Sequence, residues 1–172
     1  MELKEFARKY FGIRLNDWQV KILDNTYPKH LHRLPRVMGK STAMEVYALY
    51  IAEKYDGSRI AYATHSWSSA MRKRVTVKDR ILKSDFMDKV LVIDSGTIQL
   101  RNGSTIDILN HTDVVKPACS WDLVLLDEPQ SFIAPKFFEI LEWVVFPDGY
   151  ILGAGTWLPG DFKVPKEYKL TE

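Results

Sequence analysis

The segment Arg36-Val37-Met38-Gly39-Lys40-Ser41-Thr42 is answered far downstream by Leu123-Val124-Leu125-Leu126-Asp127-Glu128, and this pair constrains the fold more than any other feature of the chain. The first segment reads as a phosphate-binding loop running into a helix. Gly39 lets backbone approach an anion without a Cβ clash. The N–H groups of Gly39, Lys40 and Ser41 can gather around phosphates at a helix N-terminus, where the dipole also favours negative charge. Lys40 can reach β- and γ-phosphates, and the Ser41 hydroxyl can ligate Mg²⁺. The second segment reads as a buried strand ending in two carboxylates, Asp127 for the hydration shell of the metal and Glu128 to polarise an attacking water. Either segment alone also fits an ordinary loop or core strand. In this order they point to a nucleoside triphosphate, magnesium and an activated water. The general pattern is G-x-x-x-x-G-K-S/T, yet Leu34 stands at its first Gly position and Pro35 brings no N–H.

A length of 172 residues suits one domain with a sizeable core. The net charge of +2 sets up no global field for nucleic acid, so any DNA contact must come from a local patch. Cys119 is the single cysteine, which excludes an intrachain disulfide and a cysteine-built zinc site. The N-terminus has no signal-peptide core, and no apolar run approaches the ~18 residues of a membrane span. The expectation is a cytosolic protein without a membrane partner.

Leu3, Phe6, Ala7, Tyr10 and Phe11 recur at helical spacing and Gly12 is a stop signal. Asn16 or Asp17 can cap a second short helix. His30 to Leu34 reads as a strand, Lys40 to Lys54 as the helix after the loop, and Arg59 to Thr64 as another strand. Ser66 caps a long basic helix to Leu82, with Trp67 and Met71 expected on its core-facing side. Val90 to Ile93 and Thr97 to Leu100 read as strands, and Asn102-Gly103 is a strong hairpin signal. A polar loop is expected from Asn110 to Ser120. A helix from Pro135 to Phe146 and a last strand from Tyr150 to Ala154 complete the pattern. Strand and helix in alternation predict an α/β domain with a mainly parallel central sheet flanked by helices, plus a β-hairpin.

These residues resemble the ATPase domain of the large terminase subunit of tailed phages, over roughly Leu15 to Gly160. That family uses a deviant loop, Arg-x-x-Gly-Lys-Ser/Thr, which Arg36 to Ser41 match. The resemblance implies a P-loop NTPase of the additional-strand, catalytic-Glu (RecA-like) type. It divides the chain into N-terminal helices with an adenine motif (1–30), a P-loop core (31–160) and a tail (161–172). Trp18-Gln19 resembles the adenine motif, so both are carried over as nucleotide-binding residues with Arg36, Val37, Met38, Gly39, Lys40, Ser41 and Thr42. Leu123 to Glu128 is then Walker B, with Asp127 and Ser41 on Mg²⁺ and Glu128 catalytic beside Lys40 and Arg36. Gly155-Thr156-Trp157-Leu158-Pro159-Gly160 resembles the motif that couples hydrolysis to movement, through Thr156. ATP and Mg²⁺, double-stranded DNA, a portal protein, a small terminase subunit and self-association into a ring are implied with it. The setting implied is the host-cell cytoplasm.

Two departures matter. Where the family commonly has an Arg-Gly pair whose Arg acts in trans, this chain reads Val115-Lys116-Pro117-Ala118, leaving Lys116, or Arg101 elsewhere, to fill that role. The sequence also stops soon after the coupling motif, so no nuclease activity is expected, in a fragment or a minimal relative. Arg72, Lys73 and Arg74 place charge on one helix, readable as a DNA or intersubunit contact or as a solvated amphipathic face. Asp127-Glu128-Pro129-Gln130 is also compatible with a helicase-type core. A nucleotide-binding assembly module with little turnover is the reading from outside the motors.

Overall fold

The computed structural model describes residues 1–23, 28–36, 38–116, 120–132, 136–158 and 162–171. Val37, Pro117 to Cys119, Pro135 and Pro159-Gly160 lie outside the described residues.

Two short helices open the chain. Helix α1 (Leu3–Phe11) ends on Gly12 at φ 65°. Helix α2 (Asp17–Ile22) begins with a reciprocal capping box between Asn16 and Gln19. Strand β1 (Lys29–Arg33) leads to the glycine-lysine loop and the central helix α3 (Lys40–Lys54). Then come β2 (Arg59–Thr64), α4 (Trp67–Leu82), β3 (Val90–Ile93), β4 (Thr97–Leu100) and β5 (Thr105–Asn110). Helix α5 (His111–Val114) precedes β6 (Trp121–Asp127), and α6 (Phe137–Val144) runs into β7 (Val145–Gly155). Strand β8 is Lys169–Thr171.

The described strands form one sheet in the order β3-β4-β5-β2-β6-β7-β1-β8. The run from β5 to β8 is parallel, and β3 and β4 add an antiparallel edge. Strand β7 separates the loop-bearing β1 from the carboxylate-bearing β6, so the additional strand expected of this fold class is present. Burial alternates along the central strands. Ile60, Tyr62, Leu123 and Leu125 pack with α1, α2, α3 and α4, whereas Ala61, Ala63, Val124 and Leu126 pack with α5 and α6. A parallel sheet covered on both faces is why these strands read as continuous aliphatic runs.

Four expectations need correction, and one strand is unforeseen. The helix expected to run to Phe146 ends at Val144, and β7 takes over from Val145, five residues before the strand expected at Tyr150. Helix α4 turns Ala70, Val77 and Ile81 to the core, leaving Trp67 at 62% and Met71 at 36% exposure. Met71 is about 100° off that stripe, one residue round the helix. The supposed loop after β5 contains α5, whose N-cap Asn110 accepts from the Asp113 N–H. The hairpin loop is Arg101 to Gly103, with only Gly103 at positive φ (86°), so it is a three-residue turn rather than a two-residue Asn-Gly one. Strand β8, unforeseen, pairs with β1.

Candidate functional site

All parallel strands deliver their C-terminal ends to one edge of the sheet, which is where ligands bind in such folds. There Arg36, Met38, Gly39, Lys40, Ser41, Thr42, Glu128, Gln130 and Thr156 line a cleft of about 530 Å³. A larger cleft of about 900 Å³, walled by Tyr47, Tyr50 and Tyr55, lies at the opposite edge, remote from these residues. Gly39 sits at φ 70° as the N-cap of α3, and a Cβ there would come 2.9 Å from the Gln19 amide nitrogen. The positive φ is what favours glycine here, since the end of the Gln19 side chain could give way.

Lys40 is 6% exposed. Its ammonium donates to the Pro35 carbonyl at 2.9 Å and to Thr156 Oγ1 at 2.7 Å, and lies 3.7 Å from Glu128 Oε1. Thr156 Oγ1 in turn donates to the Leu34 carbonyl at 2.9 Å. Glu128 Oε2 accepts from the Thr156 backbone N–H at 2.8 Å and from the Gln130 amide at 2.5 Å. Gln130 also donates to the Thr156 carbonyl at 3.0 Å. Its close approach depends on Gly155, where a Cβ would stand 2.2 Å from Gln130 Oε1. The glycine-lysine loop, the end of β6 and the end of β7 are thus tied through Lys40, Glu128 and Thr156.

Asp127 faces the loop from the end of β6. Its Oδ1 accepts from Ser41 Oγ at 2.9 Å, and its Oδ2 accepts from the Tyr62 hydroxyl at 3.0 Å. Burial, and then the charge of Asp127, push the Tyr62 phenol well above its ordinary range, so at neutral pH it is a donor. Lys73 of α4 brings its ammonium to 3.4 Å from Asp127 Oδ2 and 2.6 Å from Glu45 Oε1, and Arg80 pairs with the other Glu45 oxygen. Ser41 Oγ and Asp127 Oδ1 are hard oxygens side by side, which suits Mg²⁺, an ion that keeps several waters and takes few protein ligands. Among the described residues no group of three or more His, Cys, Asp or Glu could hold a metal by itself.

The remaining predicted residues fall out differently. Arg36 stands exposed at the rim of the cleft. Trp18 packs half-buried on the α1–α3 core. Gln19 is buried, with Oε1 accepting from the Asn16 N–H and the amide nitrogen 3.4 Å from the Met38 and Gly39 carbonyls. Its amide nitrogen therefore faces the carbonyls of the loop. Arg72, Lys73 and Arg74 do not form one surface, because successive residues point about 100° apart on a helix. Arg72 is exposed, Arg74 donates to the Ile108 carbonyl at 2.9 Å, and Lys73 turns inward as described. Lys116, after α5 on the cleft side of the sheet, pairs with Asp113 at 2.5 Å. Arg101, at the hairpin tip, donates to the Asp88 carbonyl at the sheet edge opposite the cleft. Tyr62 and Glu45 carry no motif. Lys73 is marked in the sequence only as one charge of the basic helix, and Gln130 only by the DExx spacing.

Comparison with solved structures matches this fold. The HK97 bacteriophage large terminase superposes with a TM-score of 0.74 at 16% identity, over 89% of this chain and 36% of that one. The Thermus phage P74-26 large terminase ATPase domain gives 0.69 at 16% identity, over 93% and 81%. This chain has the fold of a large-terminase ATPase domain. It spans about a third of the HK97 protein. A DEAD box protein from Methanococcus jannaschii shares the core more distantly, with a TM-score of 0.60 at 12% identity over 93% of this chain and half of that one. No protein-family profile matches the sequence, and no curated protein matches it.

Proposed function

We propose that this chain binds ATP with Mg²⁺ in the cleft and hydrolyses it as the motor domain of a viral DNA-packaging terminase, moving double-stranded DNA into a procapsid. The observation that carries the reading is the convergence of Lys40, Glu128 and Thr156 from three different segments on one cleft at a helix N-terminus. The terminase-like fold supports it, and so does the ADP complex of a similar large terminase from a thermophilic bacteriophage.

The residues divide the work. Lys40 exchanges the Pro35 carbonyl and Thr156 hydroxyl for phosphate oxygens, and the loop N–H groups cradle the same anion. Ser41 and Asp127 would hold Mg²⁺, which supplies charge neutralisation on the phosphates when bound. Glu128 Oε1, the oxygen nearer Lys40, takes the proton of the attacking water. Arg36 at the rim can meet the terminal phosphate in cis. Because Thr156 touches Lys40, Leu34 and Glu128, any change at the phosphates is felt at the end of β7. A ring of such subunits on a portal, with Lys116 or Arg101 reaching a neighbour, completes the proposal; among the described residues no helix is long and apolar enough to cross a membrane.

Steady-state phosphate release with and without DNA tests this. We expect turnover that Lys40→Ala nearly abolishes; normal turnover in that variant would overturn the site. Tight ATP binding with no turnover, even with DNA, would leave a nucleotide-binding assembly module instead. The DEAD box likeness and the Gln130 bridge between Glu128 and Thr156 favour a helicase-type core as the second reading. Strand unwinding by the chain would decide for it.

A further inference from the structure

Asp127 has two carboxylate oxygens, and the structure treats them differently. Oδ1 meets Ser41 Oγ at 2.9 Å. Oδ2 is held from the other side by the Tyr62 hydroxyl at 3.0 Å and the Lys73 ammonium at 3.4 Å. We propose that Lys73, with Tyr62, is a positioning residue for the metal site: it clamps Asp127 Oδ2 so that Oδ1 stays turned to Ser41, where Mg²⁺ would be received. The proposal rests on the ATP-site reading above and assigns a role to a helix outside the phosphate loop and the carboxylate strand.

A lysine so near a cation site would repel the metal if its charge were unbalanced. Here it is balanced. Lys73 lies 2.6 Å from Glu45, whose side chain is 2% exposed, and Arg80 pairs with the second Glu45 oxygen. The two cations Lys73 and Arg80 face the two anions Glu45 and Asp127, so the cluster is formally neutral before any metal arrives. Its geometry follows from helix periodicity. Ser41 and Glu45 are one turn apart on α3, and Lys73 and Arg80 are two turns apart on α4, so each helix offers one face to the other. Lys73 and Asp127 also line a second cleft, of about 330 Å³, that shares Ser41, Thr42 and Glu128 with the phosphate cleft. The ammonium additionally lies 5.3 Å above the Tyr62 ring, which fixes the two clamp groups against each other.

A purely structural account would have Lys73 only pinning α4 to α3 through Glu45. Arg80 already does that, and of the two cations Lys73 is the one that extends to Asp127. Partners behind a metal ligand typically change metal affinity by about 10–100-fold when removed. The test is binding of a fluorescent ATP analogue to the purified chain, in EDTA and then over a Mg²⁺ titration. Lys73→Met is expected to keep the affinity in EDTA and to raise the Mg²⁺ half-saturation about tenfold or more. Tyr62→Phe should move it the same way, and Lys73→Arg should restore part of it. Arg80→Met, which removes a Glu45 partner without touching Asp127, should leave the Mg²⁺ half-saturation within twofold. If Lys73→Met does not fold, Lys73→Gln and Tyr62→Phe carry the test. Equal shifts in the Lys73 and Arg80 variants, or none in Lys73→Met or Lys73→Gln and Tyr62→Phe, would overturn the clamp. A wild-type chain whose analogue binding ignores Mg²⁺ would instead sink the ATP-site reading, and the clamp with it.

Discussion

Glu128 holds its backbone at φ 58° and ψ 58°, alone among the described non-glycine residues in having positive φ. The left-handed region costs an L-residue roughly 1–2 kcal/mol. The turn keeps this cost because it aims the carboxylate at the Thr156 N–H as β6 passes into the Pro129–Ser131 turn. Glu128→Gly should therefore be more stable than Glu128→Ala by about 1 kcal/mol, measured by chemical denaturation, although both lose hydrolysis. Glu128→Gln should keep MgATP binding and lose turnover, since a neutral amide accepts the same N–H but cannot take the proton of water; turnover near wild type would remove Glu128 as the base. At this scale Lys40, Ser41, Asp127 and Glu128 are legible in the sequence because phosphate and metal chemistry demand those residue types in that order. Lys73, Glu45 and Tyr62 are not. Their meaning lies in contacts with each other and with Asp127 that no local pattern encodes, and Lys73 reads as one more charge on a basic helix.

The hairpin between β4 and β5 shows how an element can be predicted and still be built otherwise. Asn102 does not supply a positive φ. Its amide instead donates to the Ala52 carbonyl at 2.8 Å and accepts from the Ser104 N–H, tying the hairpin tip to the C-terminal end of α3. Asn102→Ala should cost about 1–2 kcal/mol of stability by leaving that buried carbonyl unpaired. ATP-analogue affinity should not change, because the tip lies at the sheet edge opposite the cleft. A comparable loss of affinity would show that the hairpin communicates with the site. Helix α3 and strands β2, β3 and β4 are readable to their ends, because glycine and turn residues bound them and their apolar runs fit the lengths observed. Helix α5 is hidden because four residues are too few for periodicity, and β8 because its pairing with β1 is remote in sequence. The buried face of α4 runs against side-chain size, because Ala70, not the large Trp67, meets the sheet.

For the whole molecule, the self-association proposed above predicts that turnover per subunit rises with protein concentration; fast, concentration-independent hydrolysis would mean that Arg36 in cis suffices. A separate property follows from the strand that carries the phosphate loop. His30 and His32 lie on the same side of β1 with ring centroids 3.9 Å apart, and both are buried. Burial, and then the neighbouring His30, lower the His32 pKa from 6.5 to about 3. The unfolded chain thus takes up a proton below about pH 6.5 that the folded chain refuses until about pH 3. Stability from this group is full above pH 6.5 and is lost as pH falls, by up to ~1.4 kcal/mol per pH unit within that window. Burial lowers the His111 pKa as well, so it adds a loss of the same sign. The His32 share is isolated by comparing variants: His32→Leu should flatten the fall in urea-denaturation stability between about pH 7.5 and 5.5 by about 1 kcal/mol relative to wild type. Because folded β1 keeps His32 neutral over this range, ATP-analogue affinity of the folded chain should not follow the same pH dependence. An identical slope in the variant would show that His32 is protonated alike in both states.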